Sequence, residues 1–189
     1  MTTGLTQTPL VPPPLRGDTC RGTHARCRRY RGLMAPELHP DVAHLSFLLG
    51  TWKGEGRGEY PTIDDFTYLE ESTYGHVGKP FLTYSQKTRG ADGVPMHAEV
   101  GYLRPVGTTG AELVLAHPSG ITEIQSGTLD GQHLLLRTTS VGLAPTAKDV
   151  RSLTRSIDVA DGRLHYVIEM AAVNQDLQFH LEATLRHEA

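Results

Sequence analysis

The sequence predicts an all-β chain, a ten-stranded antiparallel up-and-down β-barrel preceded by a short N-terminal helix. From residue 51 onward, short alternating segments recur at roughly the 8–12-residue spacing of sandwiches and barrels. Three Asp-Gly pairs, Asp92-Gly93, Asp130-Gly131 and Asp161-Gly162, punctuate them and supply the positive φ angles of tight antiparallel hairpins. Ten sequential strands leave two unpaired edges unless the sheet closes, and an up-and-down barrel is the simplest closure.

The elements follow in order. Residues 1–33 carry six arginines (Arg16, Arg21, Arg26, Arg28, Arg29, Arg31) against Asp18, a Pro12-Pro13-Pro14 run, and no period of 2 or 3.6. Such a stretch buries too little to cover its ordering entropy, so it reads as a disordered basic extension. The composition break at Met34 also fits a translation start there, with the barrel domain occupying 36–189. Apolar residues at Val42, Leu45, Leu48 and Leu49 predict a short helix with Asp41 as N-cap, ended by Gly50. The strands are then expected at 51–59, 67–76, 80–89, 95–105, 111–117, 120–128, 132–140, 150–160, 163–173 and 176–187. In the ninth, Leu164, Tyr166, Ile168 and Met170 alternate with Arg163, His165 and Glu169, the period of a half-buried strand.

Composition narrows the function classes. At 189 residues, with 38% apolar and 21% charged residues, the chain has the size and make-up of one globular domain. No apolar run approaches the roughly 20 residues of a membrane span. A net charge of −3 argues against nucleic acid as a partner. Cys20 and Cys27 both lie in the basic extension, and their spacing around His24 matches no zinc pattern. With no apolar signal segment and no barrel cysteine, a cytoplasmic location is the expectation. Neither G-x-S-x-G nor a cysteine nucleophile is present in the barrel, which disfavours a hydrolase. A ten-strand barrel is wide enough to enclose a small ligand.

Gly50-Thr51-Trp52-Lys53-Gly54-Glu55-Gly56 reads G-x-W-x-G-x-G, the opening of calycin and fatty-acid-binding-protein-like barrels, in which the tryptophan plugs one end. Gly54 and Gly56 share one strand face, where missing side chains permit sharp bending or close approach of a ligand. The longer set continues through Tyr60-Pro61-Thr62, Phe66-x-Tyr68-x-Glu70-Glu71, Pro95-Met96-His97-x-Glu99-x-Gly101-Tyr102 and Leu177-Gln178-Phe179-His180-Leu181-Glu182. Over about 150 residues this resembles the nitrobindin family. The resemblance implies one b-type haem per chain with ferric iron, isomerisation of peroxynitrite to nitrate, and binding of nitric oxide. It implies His180 as axial iron ligand and catalytic centre, with Thr62, His97 and Lys148 as haem-contacting positions.

Without the family, the ten histidines must be weighed one by one. His24, His39, His44, His117, His133 and His187 fall in the extension, the helix, near turns or at the end, and are expected to be solvated. His76 lies at a turn and His165 alternates outward. By alternation His180 shares a face with Gln178, Glu182, Thr184 and Arg186, opposite Leu177, Phe179, Leu181, Ala183 and Leu185. That face is either solvent-exposed or a partly polar barrel mouth, and the period leaves both open. The rival reading is a non-catalytic carrier of a fatty acid or other apolar ligand, its carboxylate held by Arg104, Arg137, Arg151 or Tyr166. A haem sensor or store is the third. Pairing of barrels into a homodimer is left open.

Overall fold

The computed structural model describes residues 36–188. The basic extension, its two cysteines and Met34 lie outside the described residues.

The N-terminal helix, Pro40–Leu48, is a 3₁₀ helix. Its buried residues are Val42, Leu45 and Leu48, a strict period of three that matches three residues per turn, and Leu49 turns off the stripe. The cap is His39 rather than Asp41, because the His39 ring accepts from the Asp41 backbone N–H at 3.2 Å. Gly50 then reverses the chain at φ +115°, a region that favours glycine.

Ten strands follow: β1 (Gly50–Tyr60), β2 (Ile63–His76), β3 (Leu82–Arg89), β4 (Pro95–Val106), β5 (Gly110–His117), β6 (Ile121–Asp130), β7 (His133–Leu143), β8 (Val150–Ala160), β9 (Arg163–Ala172) and β10 (Gln178–His187). Each pairs antiparallel with its sequence neighbours, and β1 closes on β10 from Trp52↔His187 to Gly58↔Leu181. The fold class and strand count expected from the sequence are those observed. The β8–β9 turn shows why the spacing was readable: Asp161 and Gly162 both take positive φ, 51° and 70°, between the paired residues Ala160 and Arg163.

One end of the barrel is shut. Trp52, 2% exposed, packs edge-on against His187 with centroids 4.8 Å apart and donates its indole N–H to the Leu48 carbonyl at 2.7 Å. A buried indole without that acceptor would lose about a hydrogen bond's worth of stability. Along β1, the space a side chain at Gly54 would need is filled by the β10 backbone at Thr184, and that at Gly56 by the Tyr68 ring. The missing side chains therefore admit neighbouring strands, not a ligand. Among the described residues no helix is long and apolar enough to cross a membrane.

Trp52→Ala should remove both the plug and its bond to the helix. The expected loss is about 3–5 kcal/mol in urea denaturation, and a loss below about 1 kcal/mol would contradict the capping role.

Candidate functional site

At the other end, the β1–β2, β3–β4, β5–β6, β7–β8 and β9–β10 connections surround a cavity of about 630 Å³. That is the volume range of small-molecule and cofactor sites. Thr62, His97, Lys148 and His180, four positions dispersed in the sequence, all line it.

His180 enters the cavity because β10 carries one residue too many. Phe179 pairs with Glu169 and Leu181 with Ile168, so His180 has no partner of its own on β9. A bulge of this kind shifts the inward–outward alternation by one. Ala183 and Leu185 face the core, and Leu181 and His180 both face the cavity. Phe179 then turns outward, where Arg57 lies 4.8 Å over its ring. The alternation read from the sequence put Phe179 with Leu181 and His180 with Glu182; the bulge reverses both assignments for residues 179 and 180. The same device recurs in β4, where Thr88 pairs with His97 and Arg89 with Pro95, so that Met96 and His97 both line the cavity.

The His180 ring is held on two sides. Its Nδ1 lies 3.3 Å from the Glu59 carbonyl oxygen, an acceptor, which puts the ring proton on Nδ1 and leaves the Nε2 lone pair free. Tyr60 meets the ring edge-on, with centroids 5.2 Å apart. The Tyr60 hydroxyl is itself pinned, accepting from the Ala172 N–H at 2.8 Å and donating to the Met170 or Ala172 carbonyl. Burial lowers the His180 pKa below its ordinary value, partly opposed by the Glu59 contact, so the ring is neutral at pH 7. Tyr60 was quoted from the sequence only as part of a turn; its positioning role comes from the β1–β9 contact.

His97 lies at the solvent-accessible rim, yet the surrounding wall lowers its pKa too, against the pull of Glu99. Thr62 occupies the β1–β2 turn. Lys148 is exposed in the β7–β8 connection and has no ion-pair partner among the described residues.

Beneath the cavity lies a polar floor that the sequence reading did not anticipate. Arg155, 3% exposed, binds Glu99 with both guanidinium arms at 2.9 and 3.2 Å, and the Tyr84 hydroxyl donates to Glu99 at 2.6 Å. Burial alone would raise the Glu99 pKa, but the Arg155 charge and hydrogen bonds hold it at about 2. Glu70 goes the other way: burial raises its pKa, despite donors from Tyr166 at 2.5 Å and Ser72 at 2.7 Å. His117 is also part of this floor. Expected to be solvated, its side chain is only 8% exposed, because β5 ends inside the rim with the ring between Glu99 and Glu123. Strand parity carries the signal that was missed: Arg155 shares a face with Leu153 and Ile157, and Glu70 with Tyr68, Ser72 and Tyr74.

The same geometry removes the proposed fatty-acid clamp. Arg104 pairs with Glu112 on the outer surface, Arg137 is exposed, and Arg151 donates to the Gln175 carbonyl. The interior arginine, Arg155, has both terminal guanidinium nitrogens bound by Glu99, and the buried Tyr166 is engaged by Glu70 and Tyr68.

Residues 41–187 match the family model described as the THAP4-like, heme-binding beta-barrel domain. The chain belongs to this family. "Peroxynitrite isomerase 2" of Mycobacterium avium is 55% identical over 160 residues, covering 82% of this chain and 99% of the relative. "Peroxynitrite isomerase" of Nocardia farcinica is 53% identical over 156 residues, covering 80% and 93%. The crystal structure of Rv2717c from M. tuberculosis superposes with a TM-score of 0.77 at 52% identity, covering 81% of this chain and all of that one.

The Arg155–Glu99 pair gives a pH-dependent prediction. A depressed folded-state pKa means that the Glu99 contribution is complete above its ordinary value of 4.5 and is lost as the pH falls toward 2. Arg155→Met leaves a buried carboxylate uncompensated and should cost about 3–5 kcal/mol at pH 7. Without the cation, burial raises the Glu99 pKa, so the deficit should shrink on acidification. Urea midpoints at pH 7 and pH 5 measure this, and a deficit that does not change with pH would contradict it.

Proposed function

We propose that this chain is a haem protein that isomerises peroxynitrite to nitrate and also binds nitric oxide. It holds one haem b, with ferric iron, on His180. The observation that carries the reading is the His180 ring itself: fixed by Glu59 and Tyr60, neutral, and presenting an unengaged Nε2 to the cavity. The relatives named for peroxynitrite isomerisation and the haem-binding family model support the same assignment.

The residues present fit the group. A single imidazole suits a porphyrin-held metal, because the macrocycle supplies the other four donors. Walls from Ile63, Phe66, Ile121, Ile168, Met170 and Leu181 give apolar surface for a flat hydrophobic ring. Lys148, uncommitted at the rim, is placed to pair with a propionate, and Thr62 contributes a hydroxyl at the same mouth. Bound haem would supply the ferric iron at which the bound anion rearranges.

The chain's own contribution is ligation, orientation and exclusion. His180 would offer its Nε2 lone pair to the iron, while Nδ1 keeps its proton and donates it to the Glu59 carbonyl oxygen, fixing the ring's rotation. His97 brings a neutral imidazole into the cavity, where it orients an oxyanion by hydrogen bonding. The apolar walls would hold water away from the bound anion and confine it within the cavity.

Hemin titration with His180→Ala tests the assignment. The wild-type chain should develop a sharp Soret band at one equivalent and convert peroxynitrite to nitrate; the variant should lose both, and an unchanged spectrum would overturn the reading. Lys148→Glu should retain the band but release haem to an acceptor protein faster, by less than about tenfold, since a rim ion pair contributes at most about 1 kcal/mol. Equal release rates would remove Lys148 from the site.

A further inference from the structure

A second constellation lines the same cavity and does not involve His180. β4 contributes His97 and Glu99, and the end of β5 contributes His117. Nε2 of His97 lies 3.2 Å from Nδ1 of His117, and Nδ1 of His117 lies 3.6 Å from Oε2 of Glu99. One donor atom from each of the three falls within 4.8 Å of the others. Metal–ligand bonds of about 2.0–2.2 Å, at tetrahedral or octahedral angles, require donors roughly 3–3.5 Å apart. Two of these separations are already near that range, and His97, the accessible ligand at the rim, is the side chain free to close the third.

Proton accounting points the same way. His117 is buried, and three groups that can accept a proton surround it: Glu99, Glu123 and the His97 ring. A neutral imidazole has one N–H to offer them. Its Nε2 is enclosed 3.1 Å from Glu123 Oε1 without the alignment of a hydrogen bond, an unsatisfied buried atom. Glu123 cannot swing away freely, because Gln125 donates to its other oxygen at 2.6 Å. Glu99 is anchored likewise by Arg155 and Tyr84. If Nδ1 of His117 binds a cation, the ring proton goes to Nε2 and meets Glu123. That is the carboxylate–histidine–metal arrangement that orients ligating imidazoles.

We propose that His97, Glu99 and His117 bind a divalent transition-metal ion of the zinc class in this cavity, with Glu123 positioning His117. Two imidazoles and one carboxylate suit borderline cations such as Zn²⁺ and Co²⁺. The remaining coordination positions face the cavity, open to water or a small anion. None of the three ligands is His180, so removing the haem ligand does not remove this site; His97 is the one residue the two readings share.

The test uses the full chain, stripped of metal and titrated with Co²⁺ followed by visible absorption, and with Zn²⁺ followed by calorimetry. Wild-type protein should take up one equivalent of either ion and show the d–d bands of an ordered cobalt site. His97→Asn, at the accessible rim, and His117→Gln should each lose the bands and weaken Zn²⁺ uptake by at least tenfold. Glu123→Gln should keep the stoichiometry with affinity lowered about 10–100-fold. His180→Ala should bind the ion as wild type does, and one equivalent of hemin added to each sample reads the haem site separately.

Near-UV circular dichroism confirms folding, and His97→Asn decides the matter if His117→Gln does not fold. No uptake by the wild-type chain overturns the proposal. Bands that survive both histidine substitutions also overturn it, since they belong to surface rings such as His133.

Discussion

One surplus residue in the last strand decides what this barrel presents to its cavity. With strict alternation, β10 would send Phe179 inward and His180 to solvent. Because Phe179 opposes Glu169 while Leu181 opposes Ile168, the parity changes at 180 and the imidazole enters the cavity beside Leu181. The bulge gives up a ladder position, and the barrel stays closed because β10 pairs with β1 from Trp52 to Gly58 and with β9 on both sides of the bulge. Glu59 and Tyr60, from the end of β1 across the closure, then fix the ring. Closure and bulge are thus coupled, since the carbonyl that orients His180 belongs to the strand that seals the barrel.

The two ends divide the labour. At the closed end, Trp52 and the 3₁₀ helix supply dry packing. At the open end, register shifts in β2, β4, β8 and β10 turn extra side chains into the cavity. Between them lies a layer of buried polar groups in which Arg155 and Tyr84 bind Glu99 and Tyr166 binds Glu70, while Arg155 Nε keeps no partner. Such a layer is costly to bury and is stable only when its members are paired. It supplies a hydrophilic floor for a cavity whose walls are largely apolar, and it leaves His117 with more acceptors than it has protons to give.

Much of the fold was legible because local signals agreed with the global topology. Asp-Gly pairs marked three hairpins, and alternation marked β9 so clearly that Leu164, Tyr166 and Ile168 are all buried. The tryptophan motif identified the plugged end, and the family resemblance picked out four residues that the structure gathers around one cavity. What period alone could not give was any position next to a register shift, because one added residue inverts the face of everything beyond it. His180 is that case. His117 was misjudged for a different reason: proximity to a turn says nothing about burial when the strand ends inside a rim. Arg155 was not singled out and Glu99 entered only as part of a motif, although their parity with Leu153, Ile157 and Leu103 was visible.

The most direct test of this account is a crystal structure of the full chain loaded with hemin. The account puts the iron on Nε2 of His180, with Nδ1 still against the Glu59 carbonyl and Phe179 still outside under Arg57. Iron carried by another side chain, or a His180 ring turned away from the cavity with the β10 register unshifted, would contradict it.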